Sequence, residues 1–221
     1  MTIMFSRTKI LATAFAALTG FALSPASAAV NLIQDGDFNN PVPGNPFDTI
    51  GTGGSFGTGS SWHVPVGSVD VIGNYWQLTP SGAHSVDLDG NAPGGISQNF
   101  IAAAGTYQLS FWLSGNPDGS PSTKSMTVSV GSVLNQLFTY DVTGDKSNMN
   151  FVLEHLTFTS TGGSNTLSFL SQDVNSPFGA VVGGISISAV PEPATWAMLI
   201  LGFGGIGTML RYARRRGALA A

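Results

Sequence analysis

Three histidines, a set of central carboxylates, four exposed-type aromatic rings and no cysteine define the chemistry open to this chain. His63, His84 and His155 are scattered, and none falls in an H-E-x-x-H or similar ligand spacing. Isolated histidines of this kind read as structural. Without cysteine there is neither a thiolate nucleophile nor a disulfide. Gly94-Gly95-Ile96-Ser97 is not a G-x-S-x-G nucleophile elbow. Gly51–Gly59 lacks the lysine and the following helix of a phosphate loop. No catalytic residue is therefore assigned.

Asp87 and Asp89 lie two apart on an expected strand, so they share a face with Cα atoms about 7 Å apart. That separation suits a structural turn pair, a calcium site or a ligand contact, and it would also suit an acid–base pair acting on a glycoside. Asp35, Asp37 and Asp173 supply further hard oxygen ligands, which makes structural calcium the one cofactor to consider. Sugars are held by aromatic faces and a few polar groups. Trp62, Tyr75, Trp76 and Trp112 are the rings available for that. Trp112 stands opposite the apolar side of its strand and should point away from the core, whereas burial in a sandwich core is the competing reading for any tryptophan.

Charge narrows the partners. Of eight Lys and Arg, only Lys124 and Lys146 lie in the central region, which has no Arg, while eleven of twelve acids fall between Asp35 and Asp173. Such a surface repels phosphate backbones, so nucleic acid is excluded as a partner. The 43% apolar content rules out a disordered chain.

The elements that must position these side chains follow a period of two. Tyr107, Leu109, Phe111 and Leu113 alternate with polar residues or Trp112, as do Met126, Val128 and Val130, then Leu156 and Phe158, Leu167 and Phe169, and Ile185 and Ile187. Further strands are expected at Val69–Ile72, His84–Leu88, Ile96–Phe100 and Gln136–Val142. Turn signals stand at Asn91–Gly95, Asn116–Pro121, Gly144-Asp145 and Gly162-Gly163. About ten short strands with no helical period predict an all-β fold, a two-sheet jelly-roll β-sandwich over residues 30–190. Asn39–Ser61 reads as a long Gly- and Pro-rich loop, either mobile or functional.

Both ends carry targeting signals. Arg7 and Lys9, the apolar stretch Ile10–Leu23, Pro25 and Ala26-Ser27-Ala28 form a signal peptide over residues 1–28, with cleavage after Ala28 or, alternatively, Ala29. At the other end Pro191-Glu192-Pro193 precedes Trp196, an apolar run to Leu210, and Arg211, Arg214, Arg215 and Arg216. Ala194–Leu210 is 17 residues, at the short end for one transmembrane helix, with the arginines on the cytoplasmic side. Motif, helix and basic cluster together, over 191–216, resemble a PEP-CTERM sorting signal of the Trp-Ala subtype. That resemblance implies an exosortase-type processing enzyme as partner, an inner-membrane-anchored precursor, and delivery to the cell surface or extracellular matrix of a Gram-negative bacterium.

The region between resembles the choice-of-anchor C family and, more distantly, the plant cell-wall domain of unknown function 642, a galactose-binding-like sandwich. The residues that carry this are Asn31-Leu32-Ile33-Gln34-Asp35-Gly36-Asp37-Phe38, Gly67–Ile72, Ser85–Gly90, Gly94–Gln98, Leu109–Asn116 and Ser176–Gly179. Such openings often end in Glu, and here Asn39 stands at that position. The resemblance implies fold and location more than activity. It leads to an exported, non-catalytic domain that binds extracellular polysaccharide. The alternative is a structural or adhesive matrix protein without a glycan pocket, with a glycan-active enzyme behind both.

Overall fold

A computed structural model describes residues 30–44, 46–191 and 193–218. The expected signal peptide and its cleavage residue Ala28 lie outside the described residues, as does Glu192. In chain order the strands are β1 (Phe47–Gly51), β2 (Ser55–Phe56), β3 (Trp62–His63), β4 (Ser68–Ile72), β5 (Ser85–Asp87) and β6 (Gly95–Gly115). They continue as β7 (Thr123–Val130), β8 (Leu134–Asp141), β9 (Val152–Ser171) and β10 (Ala180–Ala189), and helix α1 (Pro193–Ala218) follows.

The all-β expectation holds, and the sheets are joined in an unexpected way. β6 and β9 are antiparallel partners from Gly95↔Leu170 to Leu113↔Val152, and this long ribbon serves both layers. Its one half, around Leu109 and Leu156, continues through β10, β5, β4 and β1. Its other half, around Ile96 and Phe169, continues through β7 to β8 on one side and through β3 to β2 on the other. The halves fold over each other, so that Phe111 of the first meets Phe169 of the second edge-on at 5.2 Å and Phe138 of β8 at 5.4 Å. Hydrogen bonding is continuous, yet the packing is that of a sandwich whose strands switch sheets at a bend.

The bend is written in glycine. Gly162 and Gly163 have φ of 98° and 97°, and Gly105 opposite has φ of 153°. These values are open to glycine and strained for other residues. The expected turn at Gly162-Gly163 is thus a corner inside one strand: two left-handed residues kink the chain without reversing it. The inward side of β6 changes parity across the corner, from Ile96, Phe100 and Ala102 to Tyr107, Leu109, Phe111 and Leu113. Buried rings of this size contribute roughly 1.5–3 kcal/mol each, so the register is well fixed on both sides.

The long Asn39–Ser61 loop is largely ordered. β1 within it pairs with β4 from Phe47↔Ile72 to Gly51↔Ser68, and β2 pairs with β3. Ladder hydrogen bonds here come from a segment whose composition reads as turn.

α1 contains the expected membrane segment, about 194–210, and its Leu199, Ile200, Leu201 and Phe203 are exposed. Among the described residues no helix is long and apolar enough to cross a membrane. Glycines at 202, 204, 205 and 207 dilute its hydropathy. The side chains of Pro193, Trp196, Arg214, Arg215 and Arg216 lie outside the described residues, and Arg211 and Pro191 are exposed.

Candidate functional site

The four rings named from the sequence have three different fates. Trp62 is 0% exposed, packs against Phe38 at 5.5 Å, and gives its indole N–H to the carbonyl of Asp35 at 3.0 Å. Trp76 is 6% exposed and donates to Ser85 Oγ at 2.9 Å. With Ile72, Met149 and Val181 it forms a second, smaller core on the outer side of the first sheet. Neither ring presents a face to solvent, and the expectation that they stack on a sugar is corrected accordingly. Each is a large apolar body whose single donor is satisfied inside.

Tyr75 is half-buried on that small core, edge-on to Phe47 at 5.3 Å. Its hydroxyl donates to Asp118 Oδ2 at 2.6 Å, and Lys146 Nζ sits 3.8 Å above its ring and 3.0 Å from the same carboxylate. Trp112 does point outward from β6, as expected. It is half-buried between Gly183 and Leu153 on the neighbouring strands. A β-bulge between Gly183 and Ser186 puts Gly184 at φ 59° beneath the ring, where a Cβ would come within 2.8 Å of Trp112 Cδ1. The indole N–H of Trp112 makes no hydrogen bond among the described residues. Beside it on the same face are Ser110 and Ser186, hydrogen-bonded at 2.8 Å, then Gln108 and Ser188.

The five carboxylates named for calcium fall into two groups. Asp35 and Asp37 hold the opening turn. Asp35 Oδ1 accepts the backbone N–H groups of Asn39 and Asn40 at 3.1 Å, and Asp37 Oδ2 accepts from Asn39 Nδ2 at 2.9 Å. Burial, more than any neighbour, raises the pKa of Asp35.

Asp87, Asp89 and Asp173 stand around Lys124. This lysine belongs to the inward row of β7 with Met126, Val128 and Val130, and it is 0% exposed. Its ammonium donates to the carbonyls of Gly119 at 2.8 Å and Phe178 at 2.6 Å. Asp87 Oδ1 accepts from the backbone of Asp89 and of Gly179, each at 3.0 Å, and Oδ2 accepts from Asn116 Nδ2 at 2.6 Å. Asp173 Oδ1 accepts from Ser125 N at 2.9 Å and Oγ at 2.8 Å. Both oxygens of Asp89 and Oδ2 of Asp173 are buried with no partner among the described residues. Desolvation raises Asp87 well above the usual carboxylate range and pushes Asp89 up to about 6. Burial lowers Lys124, and the three carboxylates oppose that.

Among the described residues no group of three or more His, Asp or Glu side chains is placed to hold a metal ion. The nearby carbonyls point at an ammonium, and Asp87 already receives three N–H donors. Lys124 is the cation that the described residues place among these carboxylates.

Residues 31–188 match the family model described as protein of unknown function, DUF642. The chain belongs to this DUF642 family. Residues 189–216 of the DUF642 chain match the PEP-CTERM protein-sorting motif, the mark of an exported, surface-sorted protein. Halomucin of Haloquadratum walsbyi is 36% identical over 92 residues, 39% of this chain, which spans about 1% of halomucin. Among solved structures, TmCBM61 in complex with β-1,4-galactotriose is 15% identical, covering 73% of this chain and 99% of that one, with a TM-score of 0.43. The family 35 carbohydrate binding module from Clostridium thermocellum is 12% identical, covering 74% and 100%, with a TM-score of 0.42. The glucuronidase BtGH115A is 15% identical with a TM-score of 0.38, and 50% of this chain spans 15% of it.

Sequence reasoning missed Lys124, Asn116, Asp118 and Lys146 in this DUF642 domain. Lys124 had a signal: it sits two residues before Met126, on the apolar side of the alternation. Nothing in the sequence marks the meeting of Tyr75, Asp118 and Lys146, which three separate loops bring together. A cleft lined by Asp35, Phe38, Pro41 and Ile50 has a volume of about 50 Å³, well below the roughly 300 Å³ of a small-ligand pocket.

Proposed function

We propose that this chain is exported by its signal peptide, held as an inner-membrane precursor by the segment 194–210, released near Pro191–Pro193 by an exosortase-type enzyme, and retained at a Gram-negative surface, where the domain over 30–190 binds extracellular polysaccharide without turning it over. The sorting motif supports the route. The observation that carries the binding role is Trp112, a partly exposed ring on a face of hydroxyl, amide and imidazole side chains, whose N–H makes no hydrogen bond among the described residues. A flat aromatic flanked by hydrogen-bonding groups is what a sugar ring stacks on.

The non-catalytic reading rests on where the titratable groups point. β5 ends at Asp87, so Asp89 lies in the turn beyond it and not on the shared strand expected, and both carboxylates are buried. His63 Nδ1 meets Ser55 Oγ at 2.8 Å, but no carboxylate orients the ring among the described residues. His84 Nδ1 is bonded to the carbonyl of Ile72 at 2.9 Å.

The test is retention on the exopolysaccharide of the producing strain. Trp112→Ala should lose most of it while keeping the parent's circular dichroism. Equal retention by the two proteins would reject aromatic recognition and favour the adhesive-matrix alternative.

A further inference from the structure

The same face says which polysaccharide it fits. Between residues 30 and 190 there is no arginine and there are only two lysines. Lys124 is fully buried and spends its donors on Gly119 and Phe178. Lys146 is paired with Asp118 at 3.0 Å and covers Tyr75. Among the described residues of the sandwich, no lysine or arginine is left to meet an anion.

Carboxylates dominate the charge of the rest of the domain. Asp37, Asp48, Asp118, Asp141 and Asp145 are exposed. Ser147 and the backbone of Asn148 hold Asp145 below its usual pKa, which keeps it ionised. A uronate, sulfate or phosphate group approaching Trp112 would find the hydroxyls of Ser110, Ser186, Ser188 and Thr157, the Gln108 amide and the His155 imidazole, with no lysine or arginine among them. It would also approach a domain of net negative charge, with eleven acids against two lysines between residues 30 and 190. Placing such an anion in contact without a cation costs its hydration with no charge partner in return. A neutral sugar pays neither cost, because its hydroxyls exchange water for the same kinds of donor and acceptor.

We infer that the Trp112 face is selective for uncharged polysaccharide segments and excludes acidic ones. This rests on the polysaccharide reading above. The opposite charge is confined to the tail, at Arg211 and Arg214–Arg216. The probe protein is therefore the full chain with those four arginines changed to Gln, beside the unaltered chain.

Retention is measured on two matched pairs of immobilised glycans, dextran against dextran sulfate and methyl-esterified against de-esterified polygalacturonate, at about 0.02 M and 0.15 M salt. The neutral member that binds should hold the protein at least about tenfold better than its acidic partner, a difference that shrinks with salt. Gln108→Arg, which adds a cation beside Ser188, should raise retention on the acidic member. Equal or stronger retention on the acidic member, or no gain from Gln108→Arg, overturns the selectivity and leaves glycan binding standing. No retention on any neutral member overturns the polysaccharide reading, and the selectivity with it.

Discussion

The ammonium of Lys124 donates to the backbone carbonyl of Phe178 at 2.6 Å and so ties β7 to the loop that leads into β10. The next residue of that loop, Gly179, gives its N–H to Asp87, and a Cβ on it would come within 2.5 Å of Asp89 Cγ. One end of the sandwich is thus closed by a buried polar cluster where hydrophobic packing stops.

Removing the cation from this cluster should be far worse than shortening an ordinary surface lysine. Lys124→Met keeps most of the apolar stem, which the inward row of β7 can accommodate. It leaves Asp87, Asp89 and Asp173 without their counter-ion, and breaking one side of a buried charge cluster typically costs about 3–5 kcal/mol. Urea melts should show that loss. Excess calcium and a chelator should give the parent the same melting temperature, because the ammonium already serves the cluster. A rise in melting temperature with calcium would favour the metal reading instead.

The cluster also sets a pH dependence. Asp87 and Asp89 have folded-state pKa values raised above the ordinary 3.8, chiefly by desolvation, Asp89 to about 6. Between these values the folded chain holds a proton that the unfolded chain releases. Stability therefore falls as pH rises from about 4 through 6. Asp35 and Asp70, also raised by burial, act in the same direction. Asp145, which is lowered, opposes them only as pH drops below 3.8. The melting temperature should be higher at pH 5 than at pH 7.5. Asp89→Asn should flatten the slope, and an unchanged slope would remove Asp89 as its source.

Much of this fold is legible in the alternation of apolar and polar residues. Leu109, Phe111, Met126, Val128, Phe169 and Ile187 all face inward as their spacing requires. What the period cannot give is the joining of strands. Gly162-Gly163 carries the composition of a hairpin turn, and only the ladder from Ala102↔Gly163 to Ala104↔Thr161 shows that the strand bends there and runs on. The direction of a candidate side chain was legible where one strand decided the matter, as for Trp112, which points outward. They were not where a distant carbonyl or hydroxyl decided it: the Asp35 carbonyl draws in Trp62, and Ser85 draws in Trp76.

The corner offers a clean test of backbone strain. A Cβ at Gly163 would meet nothing within 4 Å, yet its φ is 97°. Gly163→Ala should cost about 1–3 kcal/mol through conformation alone. Ser164→Gly next door removes only a small side chain and should cost about 1 kcal/mol or less. Chemical denaturation of both variants separates the two outcomes, and parity between them would mean that the corner relaxes freely.

Tryptophan should divide into two classes that exchange phenotypes. Trp62 and Trp76 fill core volume and satisfy their N–H groups internally, so Trp62→Ala and Trp76→Ala should each lose about 3–5 kcal/mol of stability. Trp76→Phe retains most of the ring and leaves Ser85 Oγ without its indole donor, a smaller loss of about 1–2 kcal/mol. Glycan retention by folded Trp76→Phe should match the parent, because this ring offers no open face. Trp112→Ala should do the reverse. Its ring is partly exposed and rests on Gly184, so stability should drop by about 1–2 kcal/mol at most, while retention on a neutral polysaccharide collapses. Measuring melting temperature and retention on the same four preparations makes the crossing visible. A Trp112→Ala protein that melts early and still binds would place this ring with the core pair and move the sugar contact to the Tyr75–Asp118–Lys146 cluster.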